Sequence, residues 1–113
     1  MAQAAVHRGP DGIEHWISGP VGLVQSLLAC TSESRGEKQP LVDPESCCCI
    51  VFDGRVDNRV ELSEHFRAHN IPVRDYTDMA LVLAAYLAWG DQCAARILGD
   101  FAFSIWDQRN ECF

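Results

Sequence analysis

Three features of this sequence predict an α+β domain with a β-hairpin, a sheet covered on both faces and a buried helix. Ile13, His15 and Ile17 alternate with Glu14, Trp16 and Ser18 up to a Gly19-Pro20 break, and a second apolar stretch runs from Val21 to Cys30, the pattern of a β-hairpin. Cys47–Phe52 is continuously apolar and is bounded by Asp53-Gly54, which describes a strand buried on both faces and hence a sheet covered on both sides. Leu81 to Trp89 leaves no polar stripe on a helix that begins near Thr77 and stops at Gly90, so that helix is either sandwiched between layers or covered by something outside this chain.

The remaining elements follow in order. His7 to Gly12 reads as a turn, since Pro10 presets φ, Asp11 can bond its own backbone and Gly12 tolerates positive φ. Thr31 to Ser46 is mostly polar and holds Gly36, Pro40 and Pro44, so it is expected to be a surface loop. Asp57-Asn58 with Glu61 resembles a helix start, with Asn58 as N-cap and Glu61 answering it, and Leu62 and Phe66 lie one turn apart before the helix ends near Asn70-Ile71-Pro72. A short helix is expected from Asp91 to Leu98. Phe101, Phe103 and Ile105 alternate into a strand, and Asp107 to Asn110 is turn chemistry before Glu111-Cys112-Phe113 begins another strand. An aromatic-rich half hairpin at the end leaves a sheet edge open, so the chain is expected to be truncated there.

Composition narrows the function. The 113 residues suit one small domain or a piece of one, and 48% apolar with 22% charged residues is the balance of a folded, water-soluble chain. A net charge of −7 and a pI near 4.8 repel phosphate backbones and anionic lipid, which argues against nucleic acid and membrane surfaces as partners. The opening residues lack a secretory pattern, and no window approaches the roughly 20 apolar residues of a membrane helix; a cytoplasmic location is expected. Six cysteines, three of them consecutive and none in CxxC spacing, fit reduced thiols better than a disulfide framework.

The order of several short motifs resembles the class II glutamine amidotransferase domain of the asparagine synthetase family. They are His7-Arg8-Gly9-Pro10-Asp11-Gly12, Gly19-Pro20-Val21-Gly22-Leu23, Gln39-Pro40-Leu41 and Val51-Phe52-Asp53-Gly54-Arg55-Val56-Asp57-Asn58 with Glu61-Leu62. Thr77-Asp78, Leu83-Ala84-Ala85-Tyr86, Trp89-Gly90, Leu98-Gly99-Asp100-Phe101-Ala102-Phe103 and Ile105-Trp106-Asp107 continue the series. The resemblance spans almost all of residues 6–113. It implies the N-terminal-nucleophile hydrolase fold, a four-layer αββα sandwich of antiparallel sheets, incomplete here. It also implies glutamine as the family substrate and a synthetase domain or subunit as partner. In the family an N-terminal Cys attacks the glutamine side-chain amide with its own α-amino group as base. Ammonia then passes to an ATP-dependent synthetase domain, which would hold ATP and Mg; that domain is absent from residues 1–113, and the chain itself is expected to carry no cofactor and no metal. A homodimer is among the partner expectations.

The same resemblance exposes departures. The chain opens Met1-Ala2-Gln3 in place of the family's Met-Cys-Gly-Ile strand, so no catalytic residue is assigned. The arginine that clamps the glutamine α-carboxylate aligns with Leu27, which loses a bidentate partner. The family's Asn-Gly-Glu reads Asp53-Gly54-Arg55. Asp53 is an acceptor where an oxyanion needs a donor, Gly54 keeps its backbone N–H, and Arg55 would repel the substrate amine that the family Glu helps hold. Asp78 matches the family aspartate that holds that amine. The expectation is therefore a glutaminase-inactive, structural companion of an ATP-dependent amide-forming domain. The alternative is a fragment of an active glutamine-hydrolysing asparagine synthetase, with its nucleophile Cys upstream, supplying ammonia for asparagine biosynthesis. A ligand-sensing module acting through Asp78 and Gly54 is a third reading.

Plainer roles stand beside these. Asp78 follows Thr77 at a helix start and can equally serve the helix N-terminus. Cys47 to Cys49 should sit inside a strand as inert, packed thiols, because an apolar setting raises a thiol pKa, and two ligands on one strand face fall short of a tetrahedral metal site. His65 and His69, one turn apart, are expected to be solvated.

Overall fold

A computed structural model describes residues 12–27 and 38–113. The turn expected over 7–12, all but its last residue, lies outside the described residues, as do Cys30 and the first part of the expected loop. Among the described residues the fold is α+β, with two antiparallel sheets and two α-helices, consistent with an incomplete sandwich of the N-terminal-nucleophile hydrolase type. The chain divides into two compact units, residues 1–53 with 103–113, and residues 54–102.

In the first unit β1 (Gly12–Ser18) and β2 (Val21–Leu27) form the expected hairpin, paired from Gly12↔Leu27 to Ser18↔Val21. Gly19 supplies the positive φ of 57° that a two-residue hairpin turn requires. The apolar alternation does not translate into uniform burial, since Leu23 is buried and Ile17 is 70% exposed.

The expected polar loop contains a strand. β3 (Leu41–Asp43) pairs antiparallel with the start of β4 (Cys48–Val56), Leu41 opposite Ile50 and Asp43 opposite Cys48. Three residues between Pro40 and Pro44 are too few to show a period, and flanking prolines are tolerated on such a short piece because they need donate nothing to the ladder. Where Pro40 ends the pairing, the buried Gln39 side chain takes over, its Oε1 accepting the Phe52 N–H at 2.7 Å. Cys47 falls in the connecting turn with φ 57° and is exposed, so it is not a strand thiol; Cys48 and Cys49 are in the strand and buried. With Cys48, Cys49, Ile50 and Phe52 at 0–4% exposure, this stretch is buried on both faces as expected. The end of β5 (Gly99–Asp107) completes the sheet order β3-β4-β5. Beyond it, Asp107 caps its own turn by accepting the Arg109 and Asn110 N–H groups, and the expected next strand amounts to a single Asp107↔Cys112 bridge.

The second unit holds α1 (Arg59–Ala68), α2 (Asp78–Trp89) and a 3-10 helix (Gly90–Arg96) where a short helix over Asp91 to Leu98 is expected. Leu62 and Phe66 are the buried stripe of α1, which ends where Asn70 takes φ 54° and Ile71 N–H reaches back to the Phe66 carbonyl at 2.8 Å. Thr77 caps α2 through its Oγ1, which accepts Ala80 N–H at 3.2 Å, and Gly90 ends it with φ 58°. Met79 to Ala85 are all buried, which bears out a helix with no polar stripe. His65 is not simply solvated: its ring stacks on His69 at 4.2 Å and lies 5.1 Å from Trp89, over which Arg96 also sits at 4.9 Å. Among the described residues no helix is long and apolar enough to cross a membrane.

Candidate functional site

The outer half of β4 crosses from one unit to the other at Asp53-Gly54, which the sequence pattern treats as the end of a strand. The strand runs on because Gly54 adopts φ 128° and Gly99, on β5, adopts φ 152°, backbone conformations that side chains rarely enter. A Cβ on Gly54 would lie 2.2 Å from the Asp100 carbonyl oxygen, and one on Gly99 would lie 2.1 Å from that of Arg55. Both glycines are required by close backbone approach.

Past Gly54 the chain is pinned by polar contacts within the second unit. Arg55 Nε donates to Asp57 Oδ1 at 2.7 Å, both side chains being more than half exposed. That hydrogen bond, then the Asp57 charge, holds the Arg55 guanidinium above its ordinary pKa, with Asp100 and Asp78 adding to the effect. Asn58 stands at the N-terminus of α1 but makes no side-chain cap. Its amide instead spans to the segment before β5, donating to the Arg96 carbonyl at 3.1 Å and accepting the Leu98 N–H at 2.9 Å. Asp57 N–H adds a bond to the Leu98 carbonyl at 2.7 Å. Two long-range backbone partners outcompete a local cap because they satisfy both ends of the amide at once.

Asp78, the first residue of α2, is 13% exposed at its side chain. Its Oδ2 accepts the Val56 N–H at 3.0 Å, tying the helix start to the end of β4. Its Oδ1 faces Arg59 Nη1 at 3.1 Å as an ion pair while accepting no hydrogen bond of good geometry. Arg59 Nη2 donates to the Tyr76 carbonyl at 2.9 Å. Asp78 is thus neither the helix cap, which is Thr77, nor an unoccupied carboxylate.

The structure brings Gly54, Arg55 and Asp78 into one unit. Asp53 is an exposed residue of the other unit, and Leu27 ends β2 opposite Gly12, its side chain lying outside the described residues. Arg59 was missed by sequence reasoning. Its only sequence signal is a cation at the first position of a helix, where the dipole disfavours positive charge unless an anion is near. Among the described residues no three His, Cys, Asp or Glu side chains are grouped to hold a metal ion.

The chain matches the glutamine amidotransferase domain family over residues 1–113. It is 31% identical over 110 residues to asparagine synthetase [glutamine-hydrolyzing] 1 of Bacillus subtilis, covering 97% of this chain and 17% of that protein. It is 26% identical over 111 residues to asparagine synthetase [glutamine-hydrolyzing] 3 of the same organism, covering 96% of this chain and 18% of that one. Against asparagine synthetase [glutamine-hydrolyzing] of Asparagus officinalis it is 28% identical over 113 residues, covering 100% of this chain and 19% of that one. The chain therefore spans less than a fifth of the length of these relatives. With the motif series, the fold and the family match in agreement, this chain belongs to the glutamine amidotransferase type 2 domains of the asparagine synthetase family.

Proposed function

We propose that this chain is a glutamine amidotransferase-like domain that does not hydrolyse glutamine and serves as a structural companion to an ATP-dependent amide-forming domain. The observation that carries the reading is the Asp53-Gly54-Arg55 segment. Where the family resemblance calls for an amide donor and an anion, the strand presents an exposed carboxylate at Asp53 and an exposed guanidinium at Arg55 engaged with Asp57 at 2.7 Å. An ionised carboxylate donates no hydrogen bond to a developing oxyanion, and a cation opposes the ammonium of glutamine. Leu27, at the position of the carboxylate-clamping Arg, removes a third contact. Gly54 alone keeps a backbone N–H in its family role, and Asp78 is paired within the chain.

Under this reading the chain is one partial domain of a longer protein. ATP and magnesium belong to the synthetase domain under this reading. A second reading, hydrolysis of glutamine to supply ammonia for asparagine synthesis by a nucleophile outside this segment, is favoured by the relatives, which are glutamine-hydrolysing asparagine synthetases.

The two are separated by measuring ammonia release from glutamine with the full-length protein bearing its native N-terminus. We expect none above the blank. Glutamine-dependent release that is lost on alkylating an N-terminal cysteine would end the structural reading and install the second.

A further inference from the structure

We infer that His65 and His69 form a two-imidazole site for a divalent transition-metal ion of the nickel, copper and zinc class. The two residues are one turn apart at the end of α1, so their rings lie one above the other on the same helix face. The ring centroids stand 4.2 Å apart and the planes are inclined by 27°. Two nitrogens that share one ion at about 2.0–2.1 Å lie roughly 3.0–3.4 Å from each other, a separation that rings already side by side reach by turning about their Cβ–Cγ bonds. Imidazole selects this class of ion over magnesium and calcium, which prefer oxygen.

The hydrogen bonding leaves a lone pair where an ion needs it. His69 Nδ1 lies 2.9 Å from the His65 carbonyl oxygen. A carbonyl only accepts, so Nδ1 carries the proton and Nε2 of the neutral ring carries the lone pair. Anchoring an imidazole through its other nitrogen to a backbone carbonyl is how metal-ligating histidines are oriented. Among the described residues neither ring accepts a hydrogen bond. His65 is also held by packing, its ring 5.1 Å from that of Trp89 and edge-on to Phe66 at 5.9 Å, which lowers the rotamer entropy lost on binding. The pair stands at the C-terminal end of α1, where unpaired carbonyls favour a cation. Arg67 and Arg96 bring positive charge to the same region, but their guanidiniums lie over the Tyr76 and Trp89 rings. With two protein ligands the ion keeps water in its remaining positions, so the site is exchangeable, unlike the closed four-ligand sites that hold a fold together.

The test is titration of the full-length protein with nickel chloride, followed by tryptophan emission, against magnesium chloride at equal ionic strength. An ion on His65 lies beside Trp89, so saturable quenching is expected with nickel and none with magnesium. His69→Gln and His65→Gln each leave one imidazole and should raise the half-saturating concentration by about 100-fold, the loss of an intramolecular second contact. His69 is exposed, so its variant keeps the fold, checked by an unchanged circular dichroism spectrum. Trp89→Phe should retain nickel affinity, read by calorimetry, and lose the saturable quench. No saturable quenching, an unchanged half-saturation in both histidine variants, a quench that survives Trp89→Phe, or an equal response to magnesium overturns the inference. The outcome is independent of whether glutamine is hydrolysed.

Discussion

The two halves of β4 share one backbone and have opposite chemistry. From Cys48 to Phe52 the side chains are packed, with Ile50 at 0% and Phe52 at 4% exposure. From Asp53 to Arg55 every residue is exposed, and the strand is held by backbone approach at Gly54 and by polar contacts beyond it. Volume holds the inner half, so its residue types are constrained by fit. Geometry of the main chain holds the outer half, so residue type is less constrained by the fold at Asp53 and Arg55 than at Gly54.

The comparison breaks most easily at the packed end. Ile50→Ala should lower stability by about 2–5 kcal/mol, read from chemical denaturation midpoints, because a fully buried branched side chain leaves a cavity as well as a transfer loss. A loss below about 1 kcal/mol would mean that this half is not the packed core described. At the outer end, Gly54→Ala should cost about 2–4 kcal/mol through positive φ and a clash with β5 backbone that no rotamer relieves. If Gly54→Ala proves neutral, close approach does not hold the strand.

The smallest expected effect lies at high pH. Burial pushes the Cys49 thiol from 9.0 up to about 11, and burial also raises Cys48 and Cys93. A folded-state pKa above the unfolded value gives stability that is complete below the unfolded pKa and is lost as pH rises through the folded one. Stability should therefore fall between about pH 9 and pH 11, and Cys49→Ala should flatten that limb. Iodoacetamide at mild alkaline pH should label exposed Cys47 before buried Cys48 and Cys49; uniform labelling would contradict the packing of the inner half.

Much of this architecture is legible without coordinates. The hairpin, the two-faced strand, the all-round apolar helix with its start near Thr77 and its Gly90 stop, and the family itself can all be read from local pattern and motif order. The misses share a cause. β3 has three residues and no period of its own, and it exists because β4 offers a ladder and Gln39 completes it. Asn58 reads as a cap and becomes a bridge to Arg96 and Leu98, 38 and 40 residues away. Arg59 carries no motif and acquires its meaning from Asp78 and the Tyr76 carbonyl.

The amino-acid sequence by itself determined most of the element types, the family and the opposite charges flanking Gly54 at Asp53 and Arg55, because periodicity, turn chemistry and residue identity are local properties. The tertiary structure alone decided which polar groups became partners. Hydrogen bonds and ion pairs between residues about 20 to 40 positions apart, such as Val56 with Asp78 and Asn58 with Leu98, depend on where folding brings their backbones, and no local pattern encodes that.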